Sequence, residues 1–262
     1  MTPSTRAALL RQNRELYDDT FGRVWKEAIF DGLHQGREFI NLGGAPLLRV
    51  IARRLRLRPA SRVLELCSGP GAVAVHLASR YQCSVTGIDI NPNQVAHARA
   101  MSRRVAGGTS RLTFINADAC AWRSPSRYDA VVSVDGFMLL LNPAAALQVA
   151  YDSLVDGGRV CVATLAAGRR LDGSTRRFAA ELDGMINLRS QREYEWLMRA
   201  AGLSGVRVVD LTPMAVRASV RMLRCLERVD AGEGWIRVSQ RYLDAFLDDR
   251  LRYLLVSGSR DS

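Results

Sequence analysis

Residues 63–78, VLELCSGPGAVAVHLA, join a short apolar run to a helical one through a turn that holds two glycines and a proline. The apolar run is typical of a buried β-strand, and the second half has the apolar spacing of a helix with one buried face. A glycine-rich turn at such a junction lets the backbone approach a ligand closely at the carboxyl edge of a parallel sheet. The stretch therefore predicts an α/β fold with a ligand-binding turn after its first strand.

Strand-like and helical runs alternate from residue 61 to residue 166. This order implies right-handed crossovers, a parallel sheet and helices on both of its faces. After residue 190, a helical run, a sixth strand, a longer helical stretch and a last strand complete the pattern. We therefore expect a Rossmann-like, doubly wound and mostly parallel sheet of seven strands. The strands are predicted at residues 62–66, 84–90, 111–118, 128–135, 158–166, 206–211 and 251–259.

Three segments lie outside this alternation. Residues 1–60 are mainly helical in pattern and are predicted to form an N-terminal helical arm before a core of residues 61–262. Within the core, residues 167–190 are polar and rich in arginine, and residues 213–250 are helical and amphipathic. We expect these two insertions to form helical caps that cover the site.

Positive charge is concentrated in one part of the sequence. The formal net charge is +11, and all but one of the 37 basic residues are arginine. Residues 49–62 contain six arginines and no acidic residue. A solvated helix face explains this segment better than contact with an anionic partner, because no aromatic side chains interleave with the arginines. A nucleic-acid partner is therefore disfavoured.

Several other classes of protein are excluded by absent signals. No apolar run approaches the roughly 20 residues that a membrane span needs, and the first residues have no signal-peptide pattern. The five cysteines form no Cys-x-x-Cys pair, and the three histidines lack metal-ligand spacing. We therefore expect a cytoplasmic protein with no membrane span, no disulfide framework and no metal site. Both a monomer and a homodimer remain open.

Three acidic residues lie at or just beyond the ends of three successive predicted strands. They are Glu65, Asp89 and Asp118. The carboxyl ends of parallel strands meet at one edge of a sheet, and an acid after the second strand is the usual partner of ribose hydroxyls. Three carboxylates at that edge suit a nucleoside with hydroxyls or positive charge, and they suit a pyrophosphate poorly.

The turn also differs from a dinucleotide fingerprint. A G-x-G-x-x-G pattern would place glycines at positions 67, 69 and 72, where the chain has Cys67, Gly69 and Ala72. Alanine is allowed at the last position, but cysteine is a mismatch at the first one. Glu65 would in addition repel the phosphates. An NAD(P)-dependent oxidoreductase is therefore disfavoured.

An ordered set of motifs carries a family resemblance. VLELCSGPG, VTGIDINPNQVAHAR, FINADA, YDAVVSVDGF and VDGGRVCVATL resemble the successive motifs of class I S-adenosylmethionine-dependent methyltransferases, over residues 61–166. The C-terminal run EYEWLMRAAGL…VRVVDLT…LRYLLVSGS resembles the end of the small-molecule branch. YDDTFGRVWKEAIFDG is similar to the arm of the glycine/sarcosine and natural-product enzymes of that branch, which suggests a role in secondary metabolism.

The resemblance implies a set of S-adenosylmethionine contacts. Asp89 would bind the ribose, Ile90 would pack on the adenine, and the turn would surround the methionine end. The cysteine at position 67 is acceptable if the backbone there stays outside the positive-φ region. Gln94 is expected to cap its helix rather than contact the cofactor. The implied contacts are Tyr17, Glu65, Cys67, Ser68, Gly69, Gly71, Asp89, Ile90, Asp118, Ala119, Ser133 and Val134.

The acceptor side is less defined. Asp135 follows the fourth strand, where this fold places the transferred methyl group, although a turn acid at this position is an equal alternative. His34 is the one histidine expected near an acceptor, and a surface histidine is the favoured alternative. Trp25, Phe137 and Met138 are assigned to the acceptor pocket, with core packing an equal alternative for the last two. The absence of a convincing histidine base favours an amine, an acidic phenol or a stabilised carbanion as acceptor.

Two alternative functions remain open. An RNA methyltransferase fits the positive charge, but the fourth-strand motif SVDGF lacks the Asn/Asp-Pro-Pro-Tyr/Phe pattern that holds a flipped base. A non-methylating S-adenosylmethionine-binding protein, such as a cyclase on the same scaffold, would use nearly the same cofactor residues. The favoured function is methyl transfer to a small-molecule acceptor.

Overall fold

The computed structural model describes residues 41–104, 111–228 and 232–261. Tyr17, Trp25 and His34, together with the predicted arm as far as residue 40, lie outside the described residues. Seven strands occur in the described ranges: β1 Arg62–Leu66, β2 Ser84–Asp89, β3 Leu112–Asn116, β4 Tyr128–Val134, β5 Leu154–Ala167, β6 Ser204–Asp210 and β7 Leu251–Ser259.

Eight α-helices accompany these strands in the same ranges. They are α1 Gly44–Leu55, α2 Ala72–Tyr81, α3 Pro92–Arg104, α4 Pro143–Ser153, α5 Gly173–Asp183, α6 Gln191–Ala200, α7 Thr212–Arg228 and α8 Glu233–Leu247. A short 3-10 helix, Phe137–Leu139, follows β4.

The strands form one sheet in the order β3-β2-β1-β4-β5-β7-β6. Strands β1 to β5 are parallel, and β7 is antiparallel to both β5 and β6. Successive strands are added on one side of β1 up to β3 and on its other side from β4 onward. The strand order therefore reverses between β1 and β4, which is the switch point where ligands bind in open α/β sheets. The predicted doubly wound, mostly parallel seven-stranded sheet is therefore confirmed.

Both faces of the sheet are covered. One buried cluster joins the sheet to α1, α2 and α3 and also contains Phe246 of α8. A second cluster joins the other face to α4 and α6. In β1 the neighbouring residues Val63 and Leu64 are both fully buried, one in each cluster. Burial on both faces explains why the central strands are almost continuously apolar.

The two predicted insertions are helical. Residues 167–190 contain α5, where the Asp172 side chain accepts a hydrogen bond from the Thr175 amide at 2.6 Å. Gly184 ends this helix in a left-handed conformation, with φ 65°. Residues 213–250 form most of α7 and all of α8. Each insertion was predicted as a single segment because the sequence pattern does not indicate where the helices within it begin and end.

The predicted strand ends needed small corrections. β3 ends at Asn116 and β4 at Val134, so Asp118 and Asp135 belong to the turns after their strands. β5 begins at Leu154 rather than at the predicted residue 158. The strand thus includes both glycines, at 157 and 158, instead of starting at the second one. None of the helices within the described ranges is long and apolar enough to cross a membrane.

Candidate active site

A cavity of about 740 Å³ lies at the carboxyl edge of the parallel strands. Turn residues after β1, β2, β3 and β4 form its floor, and side chains of α5, α7 and α8 form its other side. The predicted site residues that line it are Glu65, Cys67, Ser68, Gly69, Asp89, Ile90, Asp118, Ala119, Val134, Asp135 and Met138. The structure thus brings together acids from four separate strand ends.

Glu65 lies at the end of β1 and is 2% exposed. Its Oε2 atom is buried without a hydrogen-bond partner, as is the Oγ atom of Ser68 in the following turn. Burial raises the pKa of the Glu65 carboxyl well above its usual range, and the nearby Asp89 carboxylate raises this pKa further. Two unpartnered polar groups at the cavity wall indicate a polar ligand, because buried polar groups are otherwise paired.

The turn after β1 holds three residues in left-handed backbone conformations. Their φ angles are 58° at Cys67, 51° at Gly69 and 90° at Gly71. The condition set for a cysteine at position 67, a backbone outside the positive-φ region, is therefore not met. The backbone bends there so that the Ser68 amide can donate to the Ile88 carbonyl oxygen at 2.9 Å. This geometry costs roughly 1–2 kcal/mol for a residue that has a Cβ atom.

Gly71 does not line the cavity. A Cβ atom there would lie 2.8 Å from the Cβ of Ala98 and 2.9 Å from the ring of Phe114. The glycine therefore permits close packing of α2 on α3 and β3 and supports the turn from behind. At Gly69, by contrast, a Cβ atom would meet nothing within 4 Å, which leaves open space beside the turn.

The carboxylate of Asp89 organises the second strand end. It accepts hydrogen bonds from the Gly69 amide at 2.8 Å and from the Asn91 amide at 2.9 Å. Burial raises the pKa of Asp89, and these backbone donors act against that rise. A carboxylate can accept about four hydrogen bonds, so Asp89 keeps capacity for a ligand. Ile90, next in the chain, also lines the cavity.

The third strand end contributes Asp118 and Ala119. Asp118 accepts a hydrogen bond from the Cys120 amide at 2.8 Å, which fixes the turn. Cys120 and Asn142 line the cavity nearby, and neither was predicted from the sequence. The thiol of Cys120 donates to the Asn142 carbonyl oxygen at 3.4 Å.

Asp135 lies directly after β4, with φ 54°. Its Oδ2 atom accepts a hydrogen bond from the Leu42 amide at 3.3 Å. The Tyr253 hydroxyl interacts with the same carboxyl, although Asp135 Oδ1 and Tyr253 Oη form no hydrogen bond of regular geometry. Burial raises the pKa of Asp135 to about 7, against the lowering effect of Tyr253 and Leu42. Asp135 thus lines the cavity and has a pKa close to neutral pH.

Only two of the four predicted site residues in and after β4 other than Asp135 line the cavity. The four are Ser133, Val134, Phe137 and Met138. Val134 and Met138 line the cavity. Ser133 and Phe137 do not, since both are within 1% of full burial and Phe137 packs in the cluster shared with α4 and α6. In a 3-10 helix, successive side chains point about 120° apart, which explains why Met138 reaches the cavity when Phe137 enters the core.

The two cap segments supply a set of cavity residues that no motif indicated. Asp183 at the end of α5 accepts a hydrogen bond from the Tyr242 hydroxyl of α8. Burial raises the pKa of Asp183, and the Tyr242 hydroxyl opposes this rise. The amphipathic pattern of residues 213–250 was the available signal for this wall. Its lining residues are Leu182, Asp183, Gly184, Met185, Ser219, Met222, Trp235, Val238, Ser239, Tyr242 and Phe246.

Three further residues join the site without prediction. Asn41 and Leu42 line the cavity just before α1, where the Asn41 side chain accepts a hydrogen bond from the Gly44 amide at 2.6 Å. Gln94 also lines the cavity, although its position favoured a capping role. The signal for Gln94 was its location one turn into the helix that follows Asp89.

The cavity has a one-sided charge. The described residues that line it include five acids and no lysine, arginine or histidine. The arginines of residues 49–62 do not line it, and most of them are exposed on or near α1. No group of three or more histidine, cysteine, aspartate or glutamate residues in the described ranges could hold a metal ion.

Solved structures of other proteins share this fold. A phosphoethanolamine N-methyltransferase 2 from Haemonchus contortus, in complex with phosphomonomethylethanolamine and S-adenosylhomocysteine, matches 97% of this chain and 60% of its own chain, with a TM-score of 0.83 and 20% identity. The [4+2]-cyclase SpnF matches with a TM-score of 0.74 and 18% identity, covering 95% of both chains. These likenesses show that the chain has the Rossmann-like methyltransferase fold.

Sequence comparison gives the family. A family model described as a methyltransferase domain matches residues 37–208, more than half of the chain. The protein therefore belongs to the methyltransferase-domain family. Phosphoethanolamine N-methyltransferase 1 from Arabidopsis thaliana is 23% identical over 199 residues, which cover 74% of this chain and 39% of that protein. The chain thus spans well under half the length of this relative.

Proposed function

We propose that the protein transfers a methyl group from S-adenosylmethionine to a small-molecule acceptor. The observation that carries this proposal is the set of carboxylates Glu65, Asp89 and Asp118 at three neighbouring strand ends around one cavity. Such a cavity suits a cationic adenosyl compound and repels phosphate-bearing coenzymes. Membership of the methyltransferase-domain family supports the same assignment.

The residues at the strand ends fit this ligand. Glu65 and Ser68 offer unpartnered polar atoms for the amino group of its methionine part. Asp89 keeps acceptor capacity for the ribose hydroxyls, and Ile90 and Ala119 offer apolar surface for the adenine. When bound, S-adenosylmethionine would supply a methyl group whose carbon bonds to an acceptor lone pair as the carbon–sulfur bond breaks, the electron pair of that bond staying on sulfur.

The protein contributes position, exclusion of water and a proton acceptor. Holding an acceptor atom in line with the methyl–sulfur bond can supply roughly 7–11 kcal/mol of the barrier. Side chains of the caps α5, α7 and α8 line the outer side of the cavity and reduce the access of water to it. Asp135 lines the cavity and its pKa is raised to about 7 by burial, and we assign its carboxylate as the group that takes the proton released by the methyl acceptor. Three roles rest on the sequence alone. His34 is proposed to lie near the acceptor, Tyr17 to contact the cofactor and Trp25 to contact the acceptor.

Other assignments have less support. Methylation of RNA would place nucleic acid against the basic segment, but its arginines stand outside the cavity. A non-methylating activity remains the second candidate because the fold is shared with the [4+2]-cyclase SpnF. We extend the proposal to a cytoplasmic location and to a monomer or homodimer, for which cell fractionation and light scattering are the tests.

Calorimetry and product analysis test the function. We expect S-adenosylmethionine and S-adenosylhomocysteine to bind and NADH to give no heat. Glu65→Gln should weaken S-adenosylmethionine binding about tenfold, since one charge-assisted hydrogen bond is worth 1.5–3 kcal/mol. Glu227→Gln, an exposed change on α7, is the control. Tight NADH binding without S-adenosylmethionine binding would contradict the proposal, and cofactor binding without S-adenosylhomocysteine release in any acceptor panel would favour the non-methylating alternative.

A further inference from the structure

The acidic residues of the cavity fall into two sets. Glu65, Asp89 and Asp118 surround the space proposed for the cofactor. Asp135 and Asp183 also line the cavity, from the turn after β4 and from the end of α5. The cofactor assignment uses neither of these two, so the part of the cavity left for an acceptor contains two carboxyl groups.

Asp183 is poorly compensated as an anion. Its described hydrogen bond comes from the Tyr242 hydroxyl. Burial raises the pKa of the Asp183 carboxyl by more than this hydrogen bond lowers it. One neutral donor leaves most of the lone pairs of a carboxylate without a partner. A ligand that brings positive charge or N–H donors would repay the cost of burying the ionised form.

Asp135 gives a second observation. The residue lines the same cavity, and its buried Oδ1 atom has no hydrogen bond of regular geometry, although the Tyr253 hydroxyl interacts with the carboxyl. Buried polar atoms without partners are rare in native proteins. Both carboxyl groups therefore present acceptor atoms to whatever occupies this part of the cavity.

The remaining wall is aromatic and apolar. Trp235, Tyr242 and Phe246 lie seven and four residues apart on α8 and thus share one face of that helix. Met185 and Met222 line the cavity beside them. Aromatic faces attract cations as well as apolar groups, so this wall suits a molecule with a large apolar part and a positively charged group.

An anionic acceptor has no described anchor in the cavity. Phosphate and carboxylate groups are recognised mainly by arginine and lysine side chains. Although the chain has 37 such residues, none of those in the described ranges lines the cavity. The acids that do line it would repel an anion wherever they are ionised.

From these contacts we infer that the acceptor is an apolar amine without an anionic group, and that Asp183 binds its nitrogen. This inference rests on the methyl-transfer function proposed above. The amine enters as an ammonium ion paired with Asp183 and gives one proton to Asp135 Oδ1. Its lone pair then forms the bond to the methyl carbon as the carbon–sulfur bond breaks, and the electron pair of that bond stays on sulfur.

Direct binding of matched probes tests the inference. Tryptamine, phenethylamine and dodecylamine are each compared with the alcohol and the carboxylate of the same skeleton, by thermal shift and calorimetry without cofactor. We expect each bound amine to exceed its alcohol and the carboxylates not to bind. Asp183→Asn should weaken amine binding about tenfold and leave the alcohols unchanged, since a single charge-assisted hydrogen bond is lost.

Two further variants make the result specific. Glu181→Gln changes an exposed acid on the same helix and should leave amine binding unchanged. Tyr242→Phe removes the hydroxyl but keeps the Asp183 carboxylate and the ring, and it should retain the preference for amines even if Asp183→Asn fails to fold. Carboxylates that bind as well as amines, or a panel in which no amine exceeds its alcohol, would overturn the inference.

The inference and the function fail in different ways. S-adenosylmethionine binding with no preference for amines removes the assignment of Asp183 and leaves the methyltransferase intact. Preference for amines that depends on Asp183, without S-adenosylhomocysteine release, keeps the amine pocket and removes methyl transfer.

Discussion

A Cβ atom on Gly136 would lie 2.5 Å from the Cβ of Cys67 and 3.0 Å from its Sγ atom. The turns after β1 and β4 therefore approach each other as closely as a glycine opposite a small side chain allows. Cys67 lines the cavity, and Asp135 directly precedes Gly136. This contact therefore sets the distance between the turn proposed to bind the cofactor and the turn that holds Asp135.

The first prediction concerns that contact. Gly136→Ala should lower the free energy of unfolding by about 1–3 kcal/mol, since the added methyl group overpacks the two turns. Cys67→Gly should restore part of the loss, because it removes the opposing Cβ at a position where φ is 58° and glycine is preferred. Chemical denaturation of the wild type, both single variants and the double variant measures the coupling.

Gly173→Ala is the control for this cycle, because a Cβ atom there meets nothing within 4 Å. Its stability should stay within about 0.5 kcal/mol of the wild type. Strictly additive effects of the Gly136 and Cys67 changes would show that the two turns are not coupled.

The second prediction follows from the raised pKa of Asp135. With a pKa of about 7 in the fold against an ordinary value of 3.8, the native state binds more protons than the unfolded chain between about pH 4 and 7. Stability contributed by this group therefore falls as pH rises through that window and stays constant above it. Asp135→Asn should remove the fall and raise the melting temperature at pH 8, since asparagine also tolerates positive φ.

A melting-temperature series from pH 4 to pH 9 measures this effect for both proteins. Their difference should be small near pH 4 and largest above pH 7, where it corresponds to a few kcal/mol at about 1.4 kcal/mol per pKa unit. Parallel curves would mean that Asp135 titrates normally. Methyl transfer should be lost in the same variant, because the carboxylate is then absent at every pH.

The third prediction concerns Asp249, whose pKa is lowered in the folded protein, whereas that of Asp135 is raised. Asp249 also has positive φ, at 55°, but its hydrogen bonds with Arg252 and Arg169 hold its pKa well below the usual range. The unfolded chain therefore binds the extra proton, and the stability from Asp249 is present above about pH 4 and is lost at lower pH. Asp249→Asn should lower the melting temperature at pH 7 and have a smaller effect near pH 2, as thermal denaturation at both pH values would show.

Arg169 is 82% exposed on its side chain, so solvent screens that pair and Arg252 carries most of the effect. Arg169→Gln should therefore change stability by less than about 0.5 kcal/mol at neutral pH. A loss equal to that of Asp249→Asn would instead assign the stabilisation to the exposed pair.

The sequence predicted that acids from neighbouring strand ends lie together at one edge of the sheet. Glu65, Asp89 and Asp118 follow from strand periodicity and from the glycine turn, which are local patterns, and all three line the cavity. The conformation at Cys67 was not predictable in the same way, because the amide of Ser68 bonds to Ile88 on the neighbouring strand. The left-handed turn results from that tertiary bond rather than from the local sequence.

The acceptor half required the three-dimensional structure. The Tyr242 hydroxyl and Asp183 are 59 residues apart, and Leu42 and Asp135 are 93 residues apart. No spacing rule relates such distant positions, although the amphipathic caps that carry the first pair were expected as elements. Likewise, apolar character alone could not distinguish Met138 in the cavity from Phe137 in the core, since the 3-10 helix that contains both residues decides the direction of each side chain.

The last prediction tests the assignment of Asp89 to the ribose. Its two hydrogen bonds from the Gly69 and Asn91 amides leave acceptor capacity for two neighbouring hydroxyls. Asp89→Asn should weaken S-adenosylhomocysteine binding about ten- to a hundredfold, because an amide oxygen accepts fewer and weaker hydrogen bonds than a carboxylate. Calorimetry with S-adenosylhomocysteine and with 2′-deoxyadenosine analogues of it measures the effect. The wild type should discriminate against the deoxy analogue and Asp89→Asn should not, whereas discrimination that survives the substitution would place the ribose elsewhere in the cavity.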